Sequence, residues 1–487
     1  MTQPNRDSGT HTGDAQQTTP PATHENPGGS HSSGSSQQPL DRARLTALLA
    51  EERRSYQQRN PRSRTAHEKA GHLLGGVPMT WMAKSAAGFP LYLERAAGAR
   101  VTDLDGHELI DFCLGDTGAM AGHSPAPTVA AVARRYGELG GATTMMPTED
   151  AAVVAGELAH RFGASRWSFA LSATDANRWA LRLARAFTGR SRILVNSYSY
   201  HGSVDESFIV TGPDGPRSRP GNVGAPVDPT VTSRVVEFND LDGLERELSY
   251  GDVAAVLMEP ALTNMGIVLP LPGYLDGVRE LTRAAGALLV NDETHTISAG
   301  PGGCTGAWGL APDIVTVGKA IGGGIPIGAY GLSEPLAEEL WARPDLDLVD
   351  TGGVGGTLAG NALSLAAARA TLTEVLTPAA YAHMTALATT YTAGVERIVQ
   401  DHGLPWSVVR LGARAEYRFA APAPLNGTSS QAATDAELED YLHLFLINRG
   451  VLLTPFHNMA LMCPQTSAAD VETHLSLLDA AVRALVA

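Results

Sequence analysis

Two residues at the ends of apolar stretches carry side chains suited to one piece of chemistry. Asp292 closes the run Leu288-Leu-Val-Asn, and Lys319 follows Ile314-Val-Thr-Val-Gly just before Ala-Ile and three glycines. A lysine amine condenses with an aldehyde to give a Schiff base, and a carboxylate keeps a pyridine nitrogen protonated. An enzyme using pyridoxal 5'-phosphate (PLP) needs both groups, because the protonated ring takes up the electrons left when a bond to Cα breaks. Alone, the pair also fits a turn-capping Asp and a solvated Lys. The other strand ends must therefore decide.

Ligands in open α/β sheets gather at the carboxyl ends of the strands, and further polar residues fall there. Ser172-Ala173-Thr174 follow Trp167-Ser-Phe-Ala-Leu and open a helix. Amides and hydroxyls at a helix N-terminus can hold a phosphate, though the same three residues make an ordinary cap. Tyr200 and His201 follow Ile193-Leu-Val and either lay a ring over a planar cofactor or form a loop without a ligand. Glu259 ends another strand, with Asn264 shortly after it. Gly352-Gly-Val-Gly-Gly-Thr357 is a flexible turn whose hydroxyl and amides could meet a phosphate.

The elements that must position these residues alternate in period. Asp41 to Arg59 has helical spacing and starts the folded chain. Phe89 to Arg95 and Ala99 to Phe112 predict a short antiparallel sheet with its turn at Asp105-Gly106. Pro125 to Tyr136 and Glu149 to Phe162 read as amphipathic helices. Apolar strands at 167–171, 192–196, 253–258 and 287–291 then alternate with helices at Asp175 to Thr188 and Asp276 to Ala285. Such strands predict an α/β fold with a mostly parallel sheet covered on both faces. From about Gly360 a long Ala-rich helix leads to a smaller α/β portion with a strand at Val451-Leu-Leu-Thr and a last helix from Ala468. The expected division is a disordered polar tail over 1–38 and an N-terminal segment of the small domain over 39–115. A large cofactor-binding domain over 116–360 and a C-terminal small domain over 361–487 follow.

The 487 residues suffice for two or three folded regions. A net charge of −15 argues against a nucleic-acid partner or an anionic membrane surface. Cys113, Cys304 and Cys463 are far apart and lack metal-ligand spacing, so neither disulfide nor metal is expected. No apolar run reaches the length of a membrane span and no hydrophobic signal core begins the chain, which predicts a cytoplasmic protein.

The chain resembles the class III (subgroup II) PLP-dependent aminotransferases, and within them the glutamate-1-semialdehyde aminomutase branch and its β-amino-acid transaminase relatives. The resemblance runs from about residue 75 to the C-terminus. It rests on ARVTDLDGHELIDF, GHSPAP, SATDANRWALRLARAFTGR, YHG, MEPALTNMG, NDE, PDIVTVGKAIGGGIPIGAYG and GGTLAGNALSLAAARATL. It implies the fold type I (aspartate aminotransferase-like) architecture, with a large domain and a smaller α/β domain. By position it implies that Lys319 binds the aldehyde and later moves the proton, that Asp292 pairs with the pyridine nitrogen, and that Tyr200 stacks on the ring. Ser172, Ala173 and Thr174 would hold the phosphate, Asn264 would lie near the 3-hydroxyl, and His201 and Glu259 would support the cofactor. Thr357 would reach the phosphate of the neighbouring subunit in a homodimer.

Several positions depart from the family. Ala173 replaces the glycine of its Ser-Gly-Thr phosphate turn, allowing backbone approach but not a positive φ. Thr294 stands where a valine packs under the ring. His295 replaces an apolar residue and is either a substrate contact or a loop histidine. Met82 stands at the place of the aminomutase arginine that binds the substrate carboxylate, and a methionine cannot make that bidentate pair. Trp81 and Met82 then form an apolar wall or part of the core, and a substrate carboxylate falls to Lys84, Arg410 or Arg414. The expectation is an aminotransferase moving an amino group between an α- or β-amino acid, or an amine, and a keto or aldehyde acceptor. An aminomutase is the alternative, and a non-catalytic binding protein of the same fold a further one.

Overall fold

Strands whose side chains are buried on both faces hold the centre of the molecule; all six residues of Val253–Met258 are buried. The computed structural model describes residues 40–223, 227–343 and 353–486. The expected tail over 1–38 and Gly352 of the glycine-rich turn lie outside the described residues. Seven strands form one sheet in the order Arg166–Ala170, Gly328–Leu332, Ile314–Val317, Leu288–Asp292, Val253–Met258, Arg192–Asn196, Ser233–Val236. Only Gly328–Leu332 runs against its neighbours. Register sets Asp292 opposite Thr316. The carboxylate therefore leaves the sheet beside the strand that leads into Lys319.

Side chains alternate across this sheet and feed two cores. Ile193, Val195 and Leu257 pack with Ala176, Ala180 and Ala184 of the helix Ala173–Thr188. Leu194, Val256 and Met258 pack on the other side with Leu244 of Leu241–Leu248 and Val278 of Tyr274–Ala285. The first of these helices starts at Ala173, earlier than the expected Asp175, because Ser172 Oγ accepts from Asp175 N at 3.2 Å and caps it.

Other elements differ in detail from expectation. The helix expected from Pro125 is regular only over Ala126–Ala133, then widens to a π turn at Arg134–Leu139 that ends at Gly140, φ 70°. The long helix expected from Gly360 is two helices. Ala362–Ala370 runs into a π turn, and Pro378–Asp401 begins anew because Pro378 cannot continue a helix but fits the first turn of one capped by Thr377.

The N-terminal sheet has two hairpins, one turning at Gly98 between Leu93–Ala97 and Arg100–Asp103, the other at Asp105-Gly106 before Glu108–Asp111. Its fourth strand is Val451–Leu452, which pairs in parallel with Ile110 and Asp111. The helix Arg42–Arg59 packs on Ala436–Ile447, where Glu52 meets Asn448 at 2.7 Å and Arg449 at 2.8 Å. A further sheet of Ser407–Leu411, Arg414–Arg418 and Met459–Leu461 places Arg414 at a strand start. Among the described residues no helix is long and apolar enough to cross a membrane.

Candidate active site

Asp292 is 2 % exposed and its carboxylate is held from three sides. Oδ2 accepts from Asn177 Nδ2 at 2.8 Å and stands 2.9 Å from His201 Nδ1, while Oδ1 accepts from Thr294 N at 3.1 Å. Asn177 is itself oriented, because its Oδ1 accepts from Thr316 Oγ1 at 2.6 Å and its Nδ2 also donates to His201 O at 3.2 Å. Burial pushes the Asp292 carboxyl up, but His201, Thr294 and Asn177 outweigh it and hold the group below its ordinary value. A buried anion thus stands ready at the strand end.

Lys319 lies just past the neighbouring strand, in the left-handed region at φ 49°. That conformation costs a non-glycine residue on the order of 1 kcal/mol or more. Its Nζ stands 2.8 Å from His295 Nε2 and donates to Asp116 O and Asp116 Oδ2, both at 3.0 Å. Asp116 and Thr117 are also left-handed, at φ 50° and 82°. Arg414 Nη2 donates to Asp116 Oδ1 at 3.2 Å. Burial opposes ionisation of Asp116, but His295, Lys319 and Arg414 around it hold the carboxyl well below its usual range. His295 goes the other way. Burial, then the charges of Lys319 and Arg414, drive it well below the ordinary histidine value against the pull of Asp116.

The two corners open on a cavity of about 330 Å³ whose wall includes Ser172, Ala173, Thr174, Tyr200 and Gly202. The first turn of a helix has amides without partners inside the helix, and here that turn is part of the wall. Ser172 Oγ is engaged as the cap, and Thr174 Oγ1 accepts from Ser203 N at 3.1 Å. Close packing depends on Gly202, at φ 75°, where a Cβ would stand 2.0 Å from Thr174 Oγ1. Half-exposed Tyr200 is anchored through its backbone N, which donates to Glu259 Oε1 at 3.2 Å. This set of groups fits PLP. It offers a primary amine for the aldehyde, a buried carboxylate for the ring nitrogen, a helix N-terminus for the phosphate, and a buried Thr294 hydroxyl that has no hydrogen-bond partner.

The family described as Aminotransferase class-III matches residues 81–482. The chain belongs to this family. Glutamate-1-semialdehyde 2,1-aminomutase 2 of Geobacillus kaustophilus is 34% identical over 419 residues, covering 82% of this chain and 92% of that protein. The crystal structure of a glutamate-1-semialdehyde-aminomutase from Pseudomonas aeruginosa PAO1 is similar at a TM-score of 0.89 and 49% identity, covering 92% of this chain and 99% of that one. An omega-transaminase from Sphaerobacter thermophilus is similar at a TM-score of 0.78 and 29% identity, covering 86% and 97%. The chain is thus an enzyme of the transaminase or aminomutase kind, with the fold type I architecture.

As a class-III member the chain brings most of its sequence-predicted residues to one place. Lys319, Asp292, Thr294, His295, Tyr200 and His201 line the cavity together with Ser172, Ala173 and Thr174. Glu259 stands behind Tyr200, and Asn264 Nδ2 donates to Tyr198 O at 3.2 Å; neither lines the cavity. Thr357 is exposed and outside it. Trp81 and Met82 line a second cavity of about 810 Å³, where Trp81 meets Phe456 edge-on and Lys84 Nζ lies 5.0 Å from the same ring. Arg410 donates to Gly412 O. Of the three cations considered for a substrate carboxylate, Arg414 is the one that reaches the Lys319 cluster, fully buried and paired with Asp116. Asp116, Thr117 and Asn177 were missed. Asn177 had a signal, a polar residue on the apolar face of its helix; Asp116 lies 203 positions from Lys319 and had none.

Proposed function

We propose that the chain is a PLP-dependent aminotransferase in which Lys319 binds the cofactor and moves the proton. The observation that carries this is the Lys319 amine and the Asp292 carboxylate, at the ends of adjacent parallel strands, facing one cavity that a helix N-terminus helps to wall. When bound, PLP supplies an electron sink for the carbon that loses its proton. Asp292 keeps charge on the ring nitrogen. The amides of Ala173 and Thr174 hold the phosphate, Tyr200 covers a ring face, and Glu259 and Asn264 act from behind through Tyr200 and Tyr198. Lys319 Nζ would take the proton from the amine-bearing carbon of the substrate and give it up at the carbon on the other side of the transferred nitrogen. The enzyme acts as a cytoplasmic homodimer, in which exposed Thr357 reaches the partner's phosphate. Residues 116–360 form the cofactor domain, and 39–115 with 361–487 the small domain, a division supported by the Val451–Leu452 strand joining the N-terminal sheet.

A second reading, an aminomutase, is favoured by the 49% identity to the Pseudomonas aeruginosa protein, whereas Met82 at the place of the carboxylate-binding arginine favours the first. The holoenzyme is mixed with single α-amino acids, β-amino acids or amines and no acceptor. Release of one equivalent of carbonyl compound per site supports aminotransfer and names the donor class. An isomerised amine with no carbonyl released supports the mutase.

A further inference from the structure

Around the Lys319 amine stands a closed ring of polar groups that aminotransfer does not in itself require. Lys319 Nζ meets Asp116 Oδ2 at 3.0 Å, Asp116 Oδ1 meets Arg414 Nη2 at 3.2 Å, Arg414 Nη1 meets His295 Nδ1 at 3.2 Å, and His295 Nε2 meets Nζ at 2.8 Å. Thr117 Oγ1 adds a contact of 3.0 Å to His295 Nδ1. Leu114, Asp116, Thr117 and Lys319 all hold positive φ. Strain of this kind persists only where the surrounding structure imposes it.

The donors fix which imidazole nitrogen carries the proton. A guanidinium has donors only and does not lose a proton, so Arg414 Nη1 bonds Nδ1 only if Nδ1 is bare. The Thr117 hydroxyl can donate to the same lone pair. A neutral ring then keeps its one proton on Nε2, aimed at Nζ. A second proton would set an N–H against Arg414, and burial beside that guanidinium resists it. An N–H aimed at an amine is a hydrogen bond only when the amine nitrogen has its lone pair free. Against an ammonium it is a repulsion. Meanwhile Asp116 O and Oδ2 accept the amine's own protons.

Given the role proposed above for Lys319, we propose that His295, locked by Arg414 and Thr117 with its proton on Nε2, is a catalytic residue that holds the Lys319 amine in its unprotonated, nucleophilic form. The charged or titratable groups facing His295 are Lys319, Asp116, Arg414 and Asp292; Asp116 also faces His457 and Tyr200. Asp116 favours the ammonium and His295 opposes it, so the balance at Nζ depends on the imidazole.

The test follows the capture of PLP by cofactor-free protein, as the growth of its bound absorbance band from pH 6 to 9. His295→Val is expected to capture about tenfold more slowly at pH 7, with its half-maximal rate displaced about one pH unit upward. His295→Gln, whose amide can donate to Nζ while its carbonyl accepts from Arg414, is expected to keep the wild-type profile. Arg414→Met unlocks the ring and is expected to move the profile as Val does. Should the Val variant not fold, His295→Asn, too short to span to Nζ, takes its place with the same expectation. An unchanged pH profile in the Val or Asn variant overturns the role of His295, as does a Gln variant that behaves like Val. Failure of the underlying assignment reads differently: a Lys319→Ala protein that still captures PLP irreversibly after borohydride treatment shows the wrong lysine.

Discussion

Replacing Asn177 by leucine tests whether the Asp292 anion is held in the way the structure indicates. The change removes a 2.8 Å bond from Nδ2 to a carboxylate that is 2 % exposed. A hydrogen bond to a charged buried group contributes about 1.5–3 kcal/mol, and about 1.4 kcal/mol corresponds to one pKa unit. Asp292 should therefore titrate about 1–2 units higher in the variant, and at neutral pH the protein should lose about the same 1.5–3 kcal/mol. The sign with pH follows from the native group lying below its ordinary 3.8. Its stabilisation is present above that value and is lost as pH falls through the lower folded value. The deficit of the variant should then be full at pH 7 to 8 and shrink only as pH falls below the ordinary 3.8 toward the lowered native value. Urea unfolding of the cofactor-free protein, followed by tryptophan fluorescence at about pH 8, 6 and 3, measures it. Equal deficits at the highest and lowest of these pH values would refute the reasoning, because a lost packing contact does not depend on the charge of Asp292.

Lys319→Ala should lower carbonyl release by at least about 10²-fold, the lower end of what a proton-transferring group contributes, while its circular dichroism stays that of the wild type. Gly202→Ala forces a Cβ to 2.0 Å from Thr174 Oγ1 at φ 75°; a loss of about 1–3 kcal/mol from strain alone is expected, together with weaker PLP retention on dialysis. His474 is buried between Phe112 and Tyr391, each 4.9 Å away, with neither ring nitrogen partnered, and burial drives its pKa down to about 3. The unfolded chain takes up a proton below the ordinary 6.5 while the native ring does not, so the wild type should lose up to about 1.4 kcal/mol per pH unit below that point. His474→Phe should abolish this slope, giving a larger advantage over the wild type at pH 5 than at pH 7 in urea midpoints.

The sheet was legible because each of its strands is a short apolar run ended by a polar residue, and strand ends are where α/β proteins gather ligands. Asp292, Lys319, Tyr200 and Ser172 could be placed for that reason. The ring around Nζ could not, since it joins loop 114–117 to strand Arg414–Arg418 across 298 positions and to Lys319 across 203, and nothing local marks Asp116 or Arg414. His295 left two readings open because a histidine in a sequence has no stated neighbours; the contacts at both ring nitrogens needed the fold. Trp81 and Met82 could be recognised as apolar but not assigned to a cavity, since their partners come from Pro455 and Phe456 at the other end of the chain. Helix starts slipped by a residue or two where a cap, such as Ser172, reaches back.

The parallel pairing of Val451–Leu452 with Ile110 and Asp111 also sets an order of events during synthesis. The strands Leu93–Ala97, Arg100–Asp103 and Glu108–Asp111 leave the ribosome long before the segment that covers their open edge at Val451–Leu452. An uncovered edge is a template for foreign strands, and chain growth at about 5–20 residues per second keeps it open for many seconds. Arg414, which closes the ring at the lysine amine, arrives in the same late stretch. The newborn chain must therefore protect an unfinished β-edge and an incompletely furnished lysine together, and one later segment resolves both.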